Sequence, residues 1–270
     1  MLPIAVLVIY DCSCLWLIAS LWRNNSPRSS QGRLLTGTSV AGLAALMHAG
    51  LLYHALFSGP DLAMNTSETT SLVGLIVAII TIAATPRRPR FAGISAVLLQ
   101  GAGIAAAITD DGSRSFATSQ TGWELTTHII IAIVAYALIT VGAVFALALS
   151  ALDRRLHKHQ PLGALASLPS VEALEAAMFQ TIAAGFALLT LTLFSGFIFV
   201  QDLVAQHLAH KVALSCLAWV ILGVLLLGRW RLGWRGRTAA RWAVGGFILL
   251  LLAYFGSKFV LEVILGRHWG

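Results

Sequence analysis

TTHIIIAIVAYALITVGAVFALALSA, residues 126–151, holds no Asp, Glu, Lys or Arg in 26 positions. At 1.5 Å per residue a helix of this length outreaches the hydrocarbon core of a bilayer, about 30 Å thick. Seven further apolar runs flank it, near 2–22, 34–57, 70–86 and 91–109 before it and near 177–200, 210–228 and 242–264 after it. Hydrophobic residues make up 58% of the 270 positions and charged residues 11%. A soluble domain carries roughly 25% charged residues. The connections are too short to fold alone. The sequence therefore predicts an all-α, polytopic membrane helix bundle of eight spans, one membrane domain over 1–270.

Basic residues near helix ends favour the cytoplasm. Arg23, Arg28 and Arg33 follow the first span, and Arg87, Arg88 and Arg90 the third. Arg154, Arg155 and Lys158 follow the fifth, and Arg229, Arg231, Arg235, Arg237 and Arg241 the seventh. Fourteen of the 18 Lys and Arg thus fall on one side. Both termini are expected on the other, external side. This bias accounts for the net charge of +7, so the charge argues for contact with lipid headgroups and not for nucleic acid. The first span has no charged n-region, contains Asp11 and is followed by positive charge, so it is expected to stay as an anchor and not to be cleaved.

Cys12, Cys14 and Cys216 lie inside spans and form neither C-x-x-C nor C-x-x-C-H. A redox dithiol and covalently attached haem are excluded on that spacing, which leaves packing as their expected role. Pro86 and Pro89 bracket a tight turn, since proline cannot continue a helix. Ser170 before Val171-Glu172 reads as an N-cap opening a short interfacial lead-in to span six. Trp123 suits a membrane interface, and so do Trp230, Trp234 and Trp242 among the arginines around them. Gly185, Gly196, Gly245 and Gly246 are expected where helices approach closely.

Ionisable residues within spans are expensive and mark candidate sites. They are Asp11, His48, His54, His128, His210 and Lys258, with Glu262 near the last span's end. His157 and His159 belong to a basic loop, His207 to an external loop and His268 to the C-terminal tail. His48 and His54 differ by six positions, about 9 Å of rise and about 120° of rotation, so they face different ways. His128 opens span five and His210 opens span seven, which brings imidazoles from three helices to the outer half. Asp11 has no cation at its depth on its own helix and is expected to be protonated or bonded to an imidazole such as His48. There is no H-E-x-x-H and no other catalytic constellation, so an enzyme is not expected. Imidazole is a common haem ligand, and helix bundles build such sites from facing helices.

Four stretches carry a family resemblance: His128-x7-Tyr136-Ala137; LPSVEALEAAMF (168–179) with LLTLTLFSGFIF (188–199); HKVALSCLAW (210–219); and GWRGRTAARW (233–242) with LAYFGSKFV (252–260). LMHAGLL (46–52) adds a weaker match. On these the chain resembles the CcsA/HemX-like cytochrome c assembly family, especially its short eight-span members, with a family-like core over about 70–264. The resemblance implies haem handling. It makes His128 an expected haem ligand and His48 its expected partner in a cavity open to the outer leaflet. His54, which suits His128 by depth if span two ends at Phe57, and His210 are further candidates. The chain departs from the larger members where AQHLAHKVALS (205–215) stands in place of a tryptophan-rich loop ending in W-D-P-K-E. That removes the surface that presents haem to an apocytochrome, so synthetase activity is not expected.

The function expected is a haem-binding protein of a bacterial inner membrane that assists cytochrome c maturation or haem transfer. Its expected cofactor is haem b, and its expected partners are the bilayer, haem and other maturation proteins. A cofactor-free scaffold that keeps the fold is the alternative. A transporter ranks last, because no proline interrupts a span interior and no half-repeat is visible.

Overall fold

The structure, a computed structural model, describes residues 2–22, 27–57, 66–109, 123–199 and 209–256. Among these residues there is no strand. The long helices are α1 (Leu2–Trp22), α2 (Pro27–Phe57), α3 (Thr66–Ala84), α4 (Ala92–Ala107), α5 (Trp123–His157), α6 (Val171–Phe199), α7 (Ala209–Leu232) and α8 (Gly236–Leu251). Among the described residues eight spans are long and apolar enough to cross a membrane. The fourth reaches that length only by including the 3₁₀ turn Pro89–Phe91, and the eighth by including a π-helical turn, Leu252–Gly256. Pro86 and Pro89 each sit in the first turn of a 3₁₀ segment, as their fixed φ favours.

Several helices run past the apolar limits read from the sequence. α2 begins at Pro27 and not near 34, and α5 continues to His157. α6 begins at Val171, so the lead-in to span six is the opening of α6 itself and not a separate helix. Hydropathy marks only the part of a helix that needs lipid. Arg, Gln and Glu are good helix formers and carry the helices into the polar zone. Gly112, Arg114, Gly122, His207, Lys258, Glu262 and His268 lie outside the described residues.

The chain packs as two compact units, residues 1–121 with 160–170 and residues 122–159 with 171–270. In the first, α1 packs on α2 and α4, and α3 packs on α2 and α4, closing a ring of four helices. Neighbours run antiparallel. Ser13 Oγ donates to the Gly37 carbonyl, and Trp16 Nε1 to that of Arg33, between α1 and α2. Cys14 Sγ reaches the Ala96 carbonyl between α1 and α4. Small residues bring the backbones close. A Cβ on Gly74 would lie 2.6 Å from that of Ala105, and one on Gly103 3.0 Å from Tyr10 Cβ. Val6, Tyr10, Cys14, Leu17, Ala41, Ala44, Ala96 and Leu99 form the core between them.

In the second unit α5 packs on α6 and α8, and α7 packs on α6 and α8. The α5–α6 seam is tightest. A Cβ on Gly142 would lie 2.5 Å from Ile182 Cγ1, and one on Gly185 2.7 Å from Ile139 Cγ1. Overpacking of this kind costs about 1–3 kcal/mol. Gly246 meets Leu222 in the same way, whereas Gly245 faces open space, so only one of that pair answers the expected close approach.

Candidate functional site

His48 and His54 belong to the first unit, His128 and His210 to the second. The six-residue offset on α2 does what helical geometry requires: His48 is fully buried and His54 is exposed. α2 continues through Phe57, which keeps His48 about 14 Å short of the helix end. His210 sits in the first turn of α7.

His48 is held inside the first unit. Its Nε2 lies 2.7 Å from Ser71 Oγ, which lies 2.7 Å from Thr109 Oγ1. Ser71 is fully buried and Thr109 is 5% exposed. Tyr10 meets the imidazole edge to face, with ring centroids 6.1 Å apart. The sequence offers Asp11 as a partner for His48, but Tyr10 takes that place. The buried face of α1 runs Val6, Tyr10, Ser13, Leu17, and a residue one position on is rotated about 100° away from it. The buried polar atoms of this unit that have no hydrogen bond among the described residues include Tyr10 Oη, Asp11 Oδ1 and His48 Nδ1.

His128 is half-buried near the start of α5. Its Nδ1 lies 2.8 Å from Ser195 Oγ on α6, and Ser195 Oγ donates to the Thr192 carbonyl at 3.0 Å. A hydroxyl has one proton, and a carbonyl can only accept. Both bonds form together only if Ser195 gives its proton to Thr192 and accepts from Nδ1–H of His128. A neutral imidazole then carries its lone pair on Nε2, which has no hydrogen bond among the described residues. Gly196 lies under the ring, where a Cβ would come within 3.2 Å of His128 Cε1. This serine and glycine fix which nitrogen is offered and how the ring lies, the role that outer-shell groups play for metal-ligating histidines.

The second unit contains a further polar centre, which sequence reasoning missed. Glu175 of α6 is buried, 6% exposed. Its Oε1 accepts from Arg229 Nη1 at 2.6 Å and from Arg235 Nε at 3.3 Å. Its Oε2 accepts the Gly236 N–H at the start of α8 at 3.0 Å. The Arg229 guanidinium also lies 4.8 Å from the Phe179 ring centroid. GWRG is the turn that makes this possible. Gly233 and Gly236 both have positive φ, +65° and +55°, which a side chain would resist. Trp234 folds back over Gly228, and its N–H donates to the Gly228 carbonyl at 3.1 Å. Thus Arg229, read from the sequence as part of an interfacial anchor, is the half-buried partner of a buried carboxylate. Trp230, which is 73% exposed, keeps the anchor position. The signal was available: an acidic residue just inside one span and a run of arginines at the end of the next.

Cys14 is buried, and Cys12, Cys14 and Cys216 are all free thiols. Among the described residues no group of three His, Cys, Asp or Glu is placed to hold a metal ion.

Residues 37–265 match the sequence model described as cytochrome c assembly protein. The chain is 36% identical over 137 residues to the inner membrane protein YpjD of Escherichia coli (strain K12), an alignment covering 51% of this chain and 52% of that one. It is also 36% identical over 141 residues to an uncharacterized 28.8 kDa protein of Azospirillum brasilense, covering 52% of each. The cytochrome c biogenesis protein CcsA of Prochlorococcus marinus (strain MIT 9303) is 30% identical over 92 residues, 33% of this chain and 29% of that one. The chain thus spans about half the length of the first of these relatives. No solved structure matches it.

Proposed function

The chain belongs to the cytochrome c assembly protein family, and on that premise we propose that it is a haem-handling protein of a bacterial inner membrane that assists cytochrome c maturation or haem transfer. His128 is the proposed iron ligand, and haem b the proposed cofactor. The observation that carries this reading is the Thr192–Ser195–His128 chain, which leaves an imidazole lone pair on Nε2 of a half-buried ring. Neutral imidazole with its other nitrogen hydrogen-bonded is the form that binds haem iron. Bound haem would supply the iron centre. His128 would hold the iron through Nε2, with Ser195 and Gly196 fixing the orientation of its ring. The lipid-crossing helices suit an apolar macrocycle, and the relatives named for the inner membrane and for cytochrome c biogenesis agree with the setting.

His48 is the partner that the family resemblance favours, yet here its Nε2 is taken by Ser71 and its ring has no exposed surface. His54 is exposed. Alanine variants of His48, His54 and His210 rank the second position directly.

The test is an absorption spectrum of the purified, haem-loaded protein. His128→Ala should lose most of its haem or shift the Soret band. His157→Ala should match the parent, since that exposed histidine bonds only within its own helix turn, to Asp153. Equal haem retention in the two variants rules His128 out. A parent protein that takes up no haem at all favours the cofactor-free scaffold.

A further inference from the structure

The polar centre at Glu175 divides the arginines around the α7–α8 turn into two groups. Arg229 and Arg235 are drawn to its carboxylate, at 2.6 and 3.3 Å. Arg231, Arg237 and Arg241 are exposed, and none of them pairs with a carboxylate among the described residues. Helix geometry explains the division. Arg231 stands two positions beyond Arg229, a rotation of about 200°, so it faces away from α6 when Arg229 points toward it. Arg237 and Arg241 are four positions apart and share one face of α8, whose buried stripe runs Ala239, Ala243, Gly246, Leu250. No acidic residue occurs between Asp202 and Glu262. Nothing on α7, the turn or α8 therefore offsets these three charges.

Beside this charge the turn exposes apolar surface. Trp230 is 73% exposed and Leu232 71%. The Arg231 guanidinium lies 4.5 Å from the Trp230 ring centroid, so cation and indole meet in one amphipathic feature. The turn itself is held in shape. The Gly236 N–H donates to Glu175 Oε2, the Trp234 N–H donates to the Gly228 carbonyl, and the Trp234 and Trp242 ring centroids are 5.3 Å apart. A ligand therefore meets a preorganised surface and does not have to order it first.

We propose that the α7–α8 turn is a binding site for an anionic phospholipid, its phosphate held by Arg231, Arg237 and Arg241 and its acyl chains lying against Trp230 and Leu232. Guanidinium forks match phosphate oxygens bidentately. Basic clusters that border a membrane span attract anionic headgroups, and the charge bias of the loops puts this one in the cytoplasmic leaflet. A soluble anion would use the three charges and leave the indole and the leucine bare, whereas a lipid uses both halves of the surface. The site does not rest on haem binding. Glu175 and Ser195 are 20 positions apart on α6, about 30 Å, so the turn and His128 occupy opposite ends of the second unit.

The experiment is native mass spectrometry of the full chain, released from detergent micelles that contain equal amounts of phosphatidylglycerol and phosphatidylethanolamine. The ratio of the two bound lipids is the readout. The parent should retain phosphatidylglycerol in preference. Each arginine removed should lower that preference about fivefold, so the triple change Arg231→Gln, Arg237→Gln, Arg241→Gln should lose most of it. The comparison is the α3–α4 turn, which carries three exposed arginines and no tryptophan. The triple change Arg87→Gln, Arg88→Gln, Arg90→Gln removes the same charge and should keep the parent's preference. Equal losses in the two triple variants, or no preference in the parent, overturn the site. Displacement of the lipid by inorganic phosphate, where chloride of equal ionic strength does not displace it, would identify a site for a free anion and overturn the lipid assignment.

Discussion

Both units place a buried or half-buried histidine against a serine, yet the two serines behave differently. Ser195 is anchored to the Thr192 carbonyl, so it fixes the tautomer of His128 and leaves Nε2 open. Ser71 stands between His48 and a second hydroxyl, so no carbonyl among the described residues fixes the direction of its proton. The same contrast holds across each unit. In the second, the most buried carboxylate, that of Glu175, accepts three hydrogen bonds from Arg229, Arg235 and Gly236. In the first, Tyr10, Asp11 and His48 each keep an unpartnered buried atom. One ring of four helices is thus closed in its polar chemistry and the other is open. Ring topology alone does not decide whether a bundle carries a site, because short antiparallel connections produce such rings by default.

The largest effect that bears on this contrast is expected at Glu175. Glu175→Ala leaves Arg229 facing a buried site without its counter-charge. Breaking a buried pair from one side costs about 3–5 kcal/mol. The lower end applies here, because Arg229 is 34% exposed and Arg235 71%, and water can reach both. The measurement is the unfolding midpoint in one detergent, compared with Arg235→Ala. The Arg235 change should be small, since exposed ion pairs contribute at most about 1 kcal/mol. If Glu175→Ala unfolds with the parent, the second unit is not held by its polar centre and the contrast fails.

A matched pair of serine changes is next in size. Ser71→Ala strands two buried groups, His48 Nε2 and Thr109 Oγ1, and should destabilise by about 2 kcal/mol. Ser195→Ala strands one nitrogen on a half-buried ring that water can approach, so about 1 kcal/mol or less is expected. The order of the two midpoints is the test, with Ser71→Ala the lower. The reverse order would mean that the His128 contact carries the packing of its seam. That seam already has Gly142 and Gly185 pressed against isoleucines.

The spans were legible because hydrocarbon thickness sets a length that composition reports directly, and TTHIIIAIVAYALITVGAVFALALSA needs no partner to be read. The opposite facing of His48 and His54 was legible too, because it depends only on the period of one helix. Helix ends were not, since Pro27–Gln31 and Leu152–His157 are polar enough to leave lipid and still good enough to stay helical. The partners of the histidines were hidden for a different reason. Ser71 lies 23 residues from His48, Ser195 lies 67 from His128, and both contacts depend on the register between two packed helices. Asp11 was a misreading of rotation: the apolar face of α1 already pointed to Tyr10.

The smallest effect is expected at Tyr10→Phe, and it separates the two units most finely. The change removes one oxygen and keeps the ring that packs on His48 and Gly103. Two terms oppose each other. Deleting a buried hydroxyl with no partner relieves a desolvation penalty of about 1–3 kcal/mol. Deleting a hydroxyl bonded to a fixed water loses a bond of about 1 kcal/mol and leaves that water short of a partner. A bridged Tyr10 should therefore move the unfolding midpoint little, within about 0.5 kcal/mol, the range of changes that touch no special feature. A clear gain in stability would mean that Oη is dry. A loss of about 2 kcal/mol or more would mean that Oη is fully satisfied. The first unit would then be as closed as the second, and the difference between Ser71 and Ser195 would be one of position only.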